Sequence, residues 1–261
     1  MNSVISVSDF YFNYLRSDLV LKNVNIEIEK GSFTVIIGPS GAGKTTLCKA
    51  LTGIVPFYSG GDYAGEIKVL GESTKGKKVS DLAMKVGLML EDYESQLVSL
   101  TAGEEVAFSL LNHGFPPEEA EERTRLALAS LLAVHPEIIV LDEPVSAMDP
   151  DGGESLYKLL DKIHKEHGTT FIVVEHRLEF VLPYMTDLIA VKNGEIMAQG
   201  HCEDVVSHIY EDKELRPLLP DLWQIKCNLE KGTAQKFSLW RSADEAVKEL
   251  QSKGFGRGVR A

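Results

Sequence analysis

Basic charge is scarce in this chain. Its 27 lysines and arginines face 39 aspartates and glutamates, a formal net charge of −12. Proteins that hold DNA or RNA present a basic face to the phosphate backbone, so nucleic acid drops out as the expected partner. Long apolar runs are missing as well. A membrane-spanning helix needs about 18 apolar residues, and the longest run, LALASLLAV, is half of that. The first residues, MNSVISVSDF, have neither the basic start nor the apolar core of an export signal, which predicts a chain that stays in the cytosol. Cysteine is sparse. Cys48, Cys202 and Cys227 have no metal-like spacing and read as reduced packing residues. His164 and His167 lie three apart on an expected helix. Zinc takes three or four ligands and no cysteine or aspartate cluster accompanies this pair, so it reads as an exposed helix face. The chain has no internal repeat.

What is present is a core. The hydrophobic fraction of 44% in 261 residues suits one large domain, or one domain with a small appendage. SVISVSDFYFNY and VNIEIEKG read as strands separated by turns. SFTVIIG is the near-continuous apolar run of a buried central strand. In GAGKTTLCKALTGI the period changes: Leu47, Leu51 and Ile54 fall on one helix face. GEIKVLG and VGLML are further strands, and VSDLAMK is a short helix. TAGEEVAFSLLNHG and PPEEAEERTRLALASLLAVHP read as helices. The second has Pro117 at its first position, Glu118, Glu119, Glu121 and Glu122 at its positive end, and an apolar second half. From Glu137 strands and helices alternate through IIVLD, GESLYKLLDKIHKEHG, TTFIVVEH and LEFVLPYM, and a hairpin turns at Asn193–Gly194. That alternation predicts an α/β fold with a mostly parallel sheet flanked by helices.

From about Leu215 the character shifts. RPLLPDLW is proline-rich, SADEAVKELQSKG is a short amphipathic helix, and GFGRGVRA has the composition of a disordered, frayed tail. The expected organisation is a nucleotide-binding domain over 1–214 and a C-terminal extension over 215–261.

Two motifs carry chemistry. GPSGAGKT, Gly38 to Thr45, fits G-x-x-x-x-G-K-S/T and sits between a predicted strand and a predicted helix. Glycines there let backbone N–H groups wrap phosphate oxygens, and the helix start adds a positive field. Gly38, Ser40, Gly41, Gly43, Lys44, Thr45 and Thr46 form the expected nucleotide-binding set, with Lys44 reaching the β- and γ-phosphates and Thr45 ligating Mg²⁺. IIVLDEP is a buried strand delivering Asp142 to its C-terminal end, where ligands of such sheets bind. Asp142 is placed to hold Mg²⁺ through water, and Glu143 to polarise an attacking water.

In this order GPSGAGKTT, IIVLDEP, SAMD and VVEH resemble an ATP-binding-cassette (ABC) ATPase. The resemblance implies a P-loop NTPase of ABC type, with an N-terminal antiparallel β subdomain and a helical subdomain. It implies that Ser146 and Asp149 of SAMD contact a partner cassette, and that His176 of VVEH touches the γ-phosphate. It places Tyr14 of FNY against adenine, with packing into the strand core as the alternative. YSGGDYAGEIKVLG, EDYESQLVSLTAGEEVAF and EHRLEFVL are similar to the energy-coupling-factor branch, up to about Gly254. That branch implies an ATP-hydrolysing subunit, working with ATP and Mg²⁺ on the cytoplasmic face of a membrane. With transmembrane subunits, it would drive uptake of a vitamin or a metal ion.

The chain departs from this pattern twice. Glu91 stands where the family has the Q-loop glutamine; a carboxylate can still ligate Mg²⁺ but adds negative charge beside phosphates. The helical subdomain is cut short, over about 92–135, with two helices joined near Leu128–Ala129 and no Ser-Gly-Gly between Gln96 and Asp142. The family's signature segment, which closes the opposite subunit's nucleotide site, is therefore missing. A homodimer would have two incomplete sites, whereas a heterodimer with an intact relative would have one complete site. A regulatory or degenerate subunit without turnover is the alternative. A cassette acting on DNA or ribosomes conflicts with the acidic charge, and a P-loop kinase leaves SAMD and VVEH unexplained.

Overall fold

The computed structural model describes residues 3–90, 135–146 and 148–255. The chain begins with β1 (Ser3–Asn13), β2 (Leu21–Glu29) and β3 (Phe33–Ile37), followed by α1 (Lys44–Leu51). Then come β4 (Asp62–Val69), β5 (Glu72–Ser73), α2 (Val79–Ala83) and β6 (Val86–Met89). After the undescribed stretch it continues through β7 (Ile138–Asp142), α3 (Pro150–His167), β8 (Thr170–Val174), α4 (Leu178–Val181), β9 (Asp187–Lys192) and β10 (Glu195–His201). It closes with α5 (Cys202–Glu211), α6 (Asp221–Thr233) and α7 (Ala243–Ser252).

Two sheets result. One is antiparallel, ordered β2-β1-β4-β5; the other has the order β10-β9-β3-β8-β7-β6, parallel except for the β9–β10 hairpin. Strands β3, β7 and β8 are buried at every residue because both faces of their sheet are covered. Their alternating side chains feed two separate cores. Phe33, Val35, Ile37, Ile139, Leu141, Phe171 and Val173 pack with α3, α5 and α6. Ile36, Ile138, Val140, Ile172 and Val174 pack with α1 and the antiparallel sheet.

Helix α3 follows its sequence signals closely. Pro150 starts it, the Asp149 carboxylate accepts the Gly152 N–H at 2.7 Å, and Gly168 ends it in the left-handed region at φ 66. One expectation is corrected here. His167 is exposed, but His164 is half-buried, with Nδ1 2.9 Å from Thr169 O and its ring edge-on to Phe33 at 6.1 Å. The last turn of α3 therefore lies against the sheet, and its histidines do not share one solvent face.

The C-terminal segment holds two helices where the pattern predicts one. Pro220 supplies the N-cap position of α6, and Trp223, Lys226 and Cys227 are its buried residues. Lys226 Nζ pairs with Glu230 at 3.0 Å with both side chains nearly covered, so charged residues occupy positions where a helical stripe normally shows apolar ones. Leu215, Leu219, Trp223, Cys227 and Leu239 join the same core as Phe33 and Phe171. Trp223 Nε1 donates to Trp240 O at 2.8 Å, and Arg241 donates to the carbonyls of Leu182 and Met185. Of the tail expected to fray, Gly254 and Phe255 turn back, with Phe255 against Phe237; residues 256–261 lie outside the described residues.

Glu249 ties this segment together. It accepts from Ser238 N and Oγ, from Trp240 Nε1 at 2.7 Å and from Lys253. The Ser238 hydroxyl above all, helped by Trp240 and Lys253 against burial, holds its carboxyl down at about 2, below the ordinary 4.5. A depressed carboxylate contributes stability above its unfolded value and loses it on acidification, here between about pH 4.5 and 2. The chain's two tryptophans, Trp223 and Trp240, both sit in this segment. Tryptophan-monitored urea unfolding should therefore show Glu249→Gln destabilised by about 1–3 kcal/mol at neutral pH. The variant should also have a flatter acid dependence below pH 4.5 than the parent chain.

Candidate functional site

The C-terminal ends of β3, β7 and β8 converge, and the loops leaving them carry the motif residues. At the end of β3 the chain runs beside its parallel neighbour β9. A Cβ on Gly38 would lie 2.2 Å from the Val191 carbonyl oxygen, so no larger residue fits there without moving the strand. Gly43, at φ 99, is in the left-handed region immediately before α1. Ala42 N–H donates to Pro39 O at 3.1 Å, and Ala42 O accepts from Gly194 N–H at 3.0 Å. The β9–β10 turn thus holds the loop from outside. Lys44 is buried and donates to Gly38 O at 2.8 Å and Pro39 O at 3.1 Å, tying its ammonium back across the loop.

Ser40, Gly41 and Thr45 are exposed, and Thr46 is buried. The Thr46 hydroxyl lies 3.3 Å from the Tyr14 hydroxyl. Tyr14 is half-buried and edge-on to Phe12 at 4.9 Å. It both packs on its own strand end and reaches the helix that follows the glycine loop.

Asp142 ends β7 and is 1% exposed. Its field reaches α1: burial pushes the Cys48 thiol well up, Asp142 adds to that, and Lys44 opposes it. Glu143 follows at φ 52, an unusual conformation for a residue with a side chain and one that concentrates at functional sites. Its N–H donates to Val174 O at 2.9 Å, which continues the β7–β8 ladder by one residue. Glu143 Oε1 lies 3.0 Å from His176 Nε2, with the carboxylate 21% and the imidazole 41% exposed.

Beneath His176 lies a carboxylate that the sequence reading left without a role. Glu175 is 3% exposed. Its Oε1 accepts from His176 N at 2.9 Å and Arg177 N at 3.0 Å, and its Oε2 accepts from Tyr157 Oη at 2.8 Å. The available signal was a charged residue directly following the all-apolar run FIVV. Ser146 and Asp149 are exposed just beyond Glu143, although the Asp149 carboxylate also caps α3. Arg177 Nη1 donates to Met148 O at 3.3 Å, linking this turn to the His176 loop.

The structure therefore gathers Gly38–Thr46, Asp142, Glu143 and His176 beyond the C-terminal ends of the internal strands β3, β7 and β8, with Tyr14 reaching in from the antiparallel sheet. Glu91, Ala147 and the 92–134 segment, including the junction at Leu128–Ala129, lie outside the described residues. Among the described residues no group of three His, Cys, Asp or Glu side chains could cage a metal. Thr45 and Asp142 instead fit Mg²⁺, a hard cation that keeps water and phosphate oxygens and takes one or two protein ligands. No described helix is long and apolar enough to cross a membrane.

The ABC transporter family profile matches residues 21–146. The chain is 36% identical to a Pyrococcus horikoshii protein named as an ABC transporter ATP-binding protein, covering 95% of this chain and 97% of that one. That alignment runs over 277 positions, while the matched 95% of this chain is about 248 of its 261 residues. About 29 positions of the relative therefore face a gap in this chain. A similarly named protein of Caldanaerobacter subterraneus is 34% identical over 87% of this chain, but the match spans only 45% of that protein. Among solved structures, cbiO1 from Clostridium perfringens, part of the ABC transporter complex cbiONQ, superposes with a TM-score of 0.63 at 23% identity, covering 90% of this chain and 97% of that one. A dimeric ATP-binding cassette in a post-hydrolysis state with ADP and phosphate gives a TM-score of 0.57 at 24% identity, covering 76% of this chain and 98% of that one.

The approach of Gly38 to Val191 gives a direct test of the loop. Gly38→Ala should destabilise the chain by about 1–3 kcal/mol in urea unfolding, as overpacking does, and should weaken binding of a fluorescent ATP analogue. Unchanged stability and binding would show that β9 retreats freely.

Proposed function

This chain belongs to the ABC transporter family, whose ATP-binding subunits hydrolyse ATP and work with transmembrane subunits, and we propose that it drives uptake in an importer of the energy-coupling-factor kind. In this reading it pairs with a second cassette that supplies the signature segment missing here, and it works at the cytoplasmic face of the membrane. The observation that carries the catalytic part is the Glu143–His176 contact of 3.0 Å, one residue beyond Asp142 and beside the glycine loop.

Each side chain then has a task. The backbone N–H groups of the loop and the start of α1 receive the phosphates, and Lys44 exchanges loop carbonyls for phosphate oxygens. Tyr14 stacks on adenine, since its ring flanks the helix that begins at the loop. Glu143 accepts a proton from the attacking water. His176 orients that carboxylate and meets the γ-phosphate. Thr45 and Asp142 would hold Mg²⁺, with Glu91 as a further ligand, and the bound ion would offset phosphate charge. Ser146 and Asp149 face the partner cassette.

The segments YSGGDYAGEIKVLG and EHRLEFVL support the energy-coupling-factor assignment, and with it a vitamin or metal ion as cargo. The absent Ser-Gly-Gly supports a mixed pair, and the total of about 29 positions by which the aligned relative exceeds this chain is in keeping with it. The same observations favour a second reading, in which the chain binds ATP as a regulatory subunit without turnover.

Steady-state MgATP turnover decides between them. The chain alone should bind ATP with little turnover. A signature-bearing cassette should raise the rate, and Glu143→Gln should then reduce it by about 10²–10⁴-fold. Rapid turnover by the chain alone would overturn the mixed-pair reading, and no turnover in any pair would favour the regulatory one.

A further inference from the structure

We infer that Glu175 is a positioning residue that sets where His176 meets Glu143 and couples that contact to the segment facing the partner cassette. The inference rests on the proposed roles of His176 and Glu143 in hydrolysis.

The geometry is a clamp with two sides. Glu175 Oε1 takes the backbone N–H of His176 itself and of Arg177, at 2.9 and 3.0 Å, so the turn carrying the imidazole is held from below by one oxygen. Oε2 takes the hydroxyl of Tyr157, a fully buried residue of α3, at 2.8 Å. Helix α3 begins at Pro150, directly after Ser146–Asp149. On the other flank, Arg177 reaches Met148 O at 3.3 Å and lies over the Phe180 ring, its guanidinium carbon 4.3 Å from the ring centroid. The His176 loop is thus bonded directly to that segment at Met148 and, through Tyr157, to the helix that follows it.

Three donors on one carboxylate match an ionised acceptor, which needs no hydrogen of its own. Burying such a group is costly unless every oxygen is bonded, and here every oxygen is. Burial, with a small addition from the charge of Glu143, raises the carboxyl above its ordinary value, and the Arg177 and His176 N–H groups and the Tyr157 hydroxyl limit that rise. An apolar residue would fill the same space at lower electrostatic cost, but it would leave both N–H groups of the turn unbound. A shift of about 1 Å in a reacting geometry can lower a rate about 10²-fold, so fixing this turn has kinetic weight.

The test compares Glu175→Ala, Glu175→Gln, Tyr157→Phe and His176→Ala in the full chain, paired with a signature-bearing cassette and supplied with MgATP. Glu175→Ala should lower kcat about 10- to 100-fold with little change in KM for ATP, and should speed amide exchange at His176 and Arg177. Glu175→Gln should recover most of the rate, because its carboxamide oxygen accepts both N–H groups and its NH₂ can donate to Tyr157. Tyr157→Phe should give an intermediate loss, and it decides the matter if Glu175→Ala does not fold. An unchanged kcat in Glu175→Ala, or in Tyr157→Phe where that variant decides, while His176→Ala abolishes turnover, overturns the role of Glu175 alone. A raised KM with kcat kept also overturns it. Full turnover in His176→Ala overturns the catalytic reading beneath it.

Discussion

The register between three buried strands is the constraint on which the rest of the molecule depends. Ile36 pairs with Val174, and Val174 pairs with Asp142. The ladder runs one step further through Glu143 N–H to Val174 O. Five residues of the site leave the sheet within two residues of that line: Gly38 from β3, Asp142 and Glu143 from β7, Glu175 and His176 from β8. A slip of one residue in any of these strands would turn its last side chain to the opposite core. The two cores prevent such a slip, since Val173 and Leu141 feed one while Val174 and Val140 feed the other. Packing that looks purely structural is therefore what sets the distance between Glu143 and His176.

Much of this was legible in the sequence. The run FTVII announces a strand buried on both faces, the glycine loop announces its own turn, and Asn193–Gly194 announces a hairpin, with both residues at positive φ. Local chemistry dictates these features, so local reading finds them. The parts that escaped depend on distant partners. Helix α6 hides its stripe because Lys226 is buried against Glu230, a pairing invisible until the helix is docked. His164 reads as surface until Phe33 and Phe171 arrive from strands β3 and β8. Glu175 reads as one more acidic residue, and only the fold brings Tyr157 beneath it. The motif predicts a glycine at Gly38, but the physical reason, the Val191 carbonyl, comes from the neighbouring strand β9, about 150 residues away in sequence.

The segment after Leu215 is joined to the site by the same logic. Its apolar residues complete the core under α3 and β8, and Arg241 holds the carbonyls of Leu182 and Met185, a few residues downstream of His176. The His176 loop is thus tied to α3 through Glu175 and Tyr157, and the residues that follow it are held by Arg241 of the C-terminal segment.

The turn at Gly194 has a consequence of another kind. Ordinarily a two-residue hairpin tip is where an engineer would open a chain for circular permutation or insert a tag, because such tips lie at the surface with few bonds. Here Gly194 donates to Ala42, accepts from Lys22 N–H at 2.8 Å, and passes so close to Val20 that a Cβ would lie 2.2 Å from its carbonyl oxygen. The tip is a junction where both sheets and the phosphate loop meet, so new termini belong elsewhere on this scaffold.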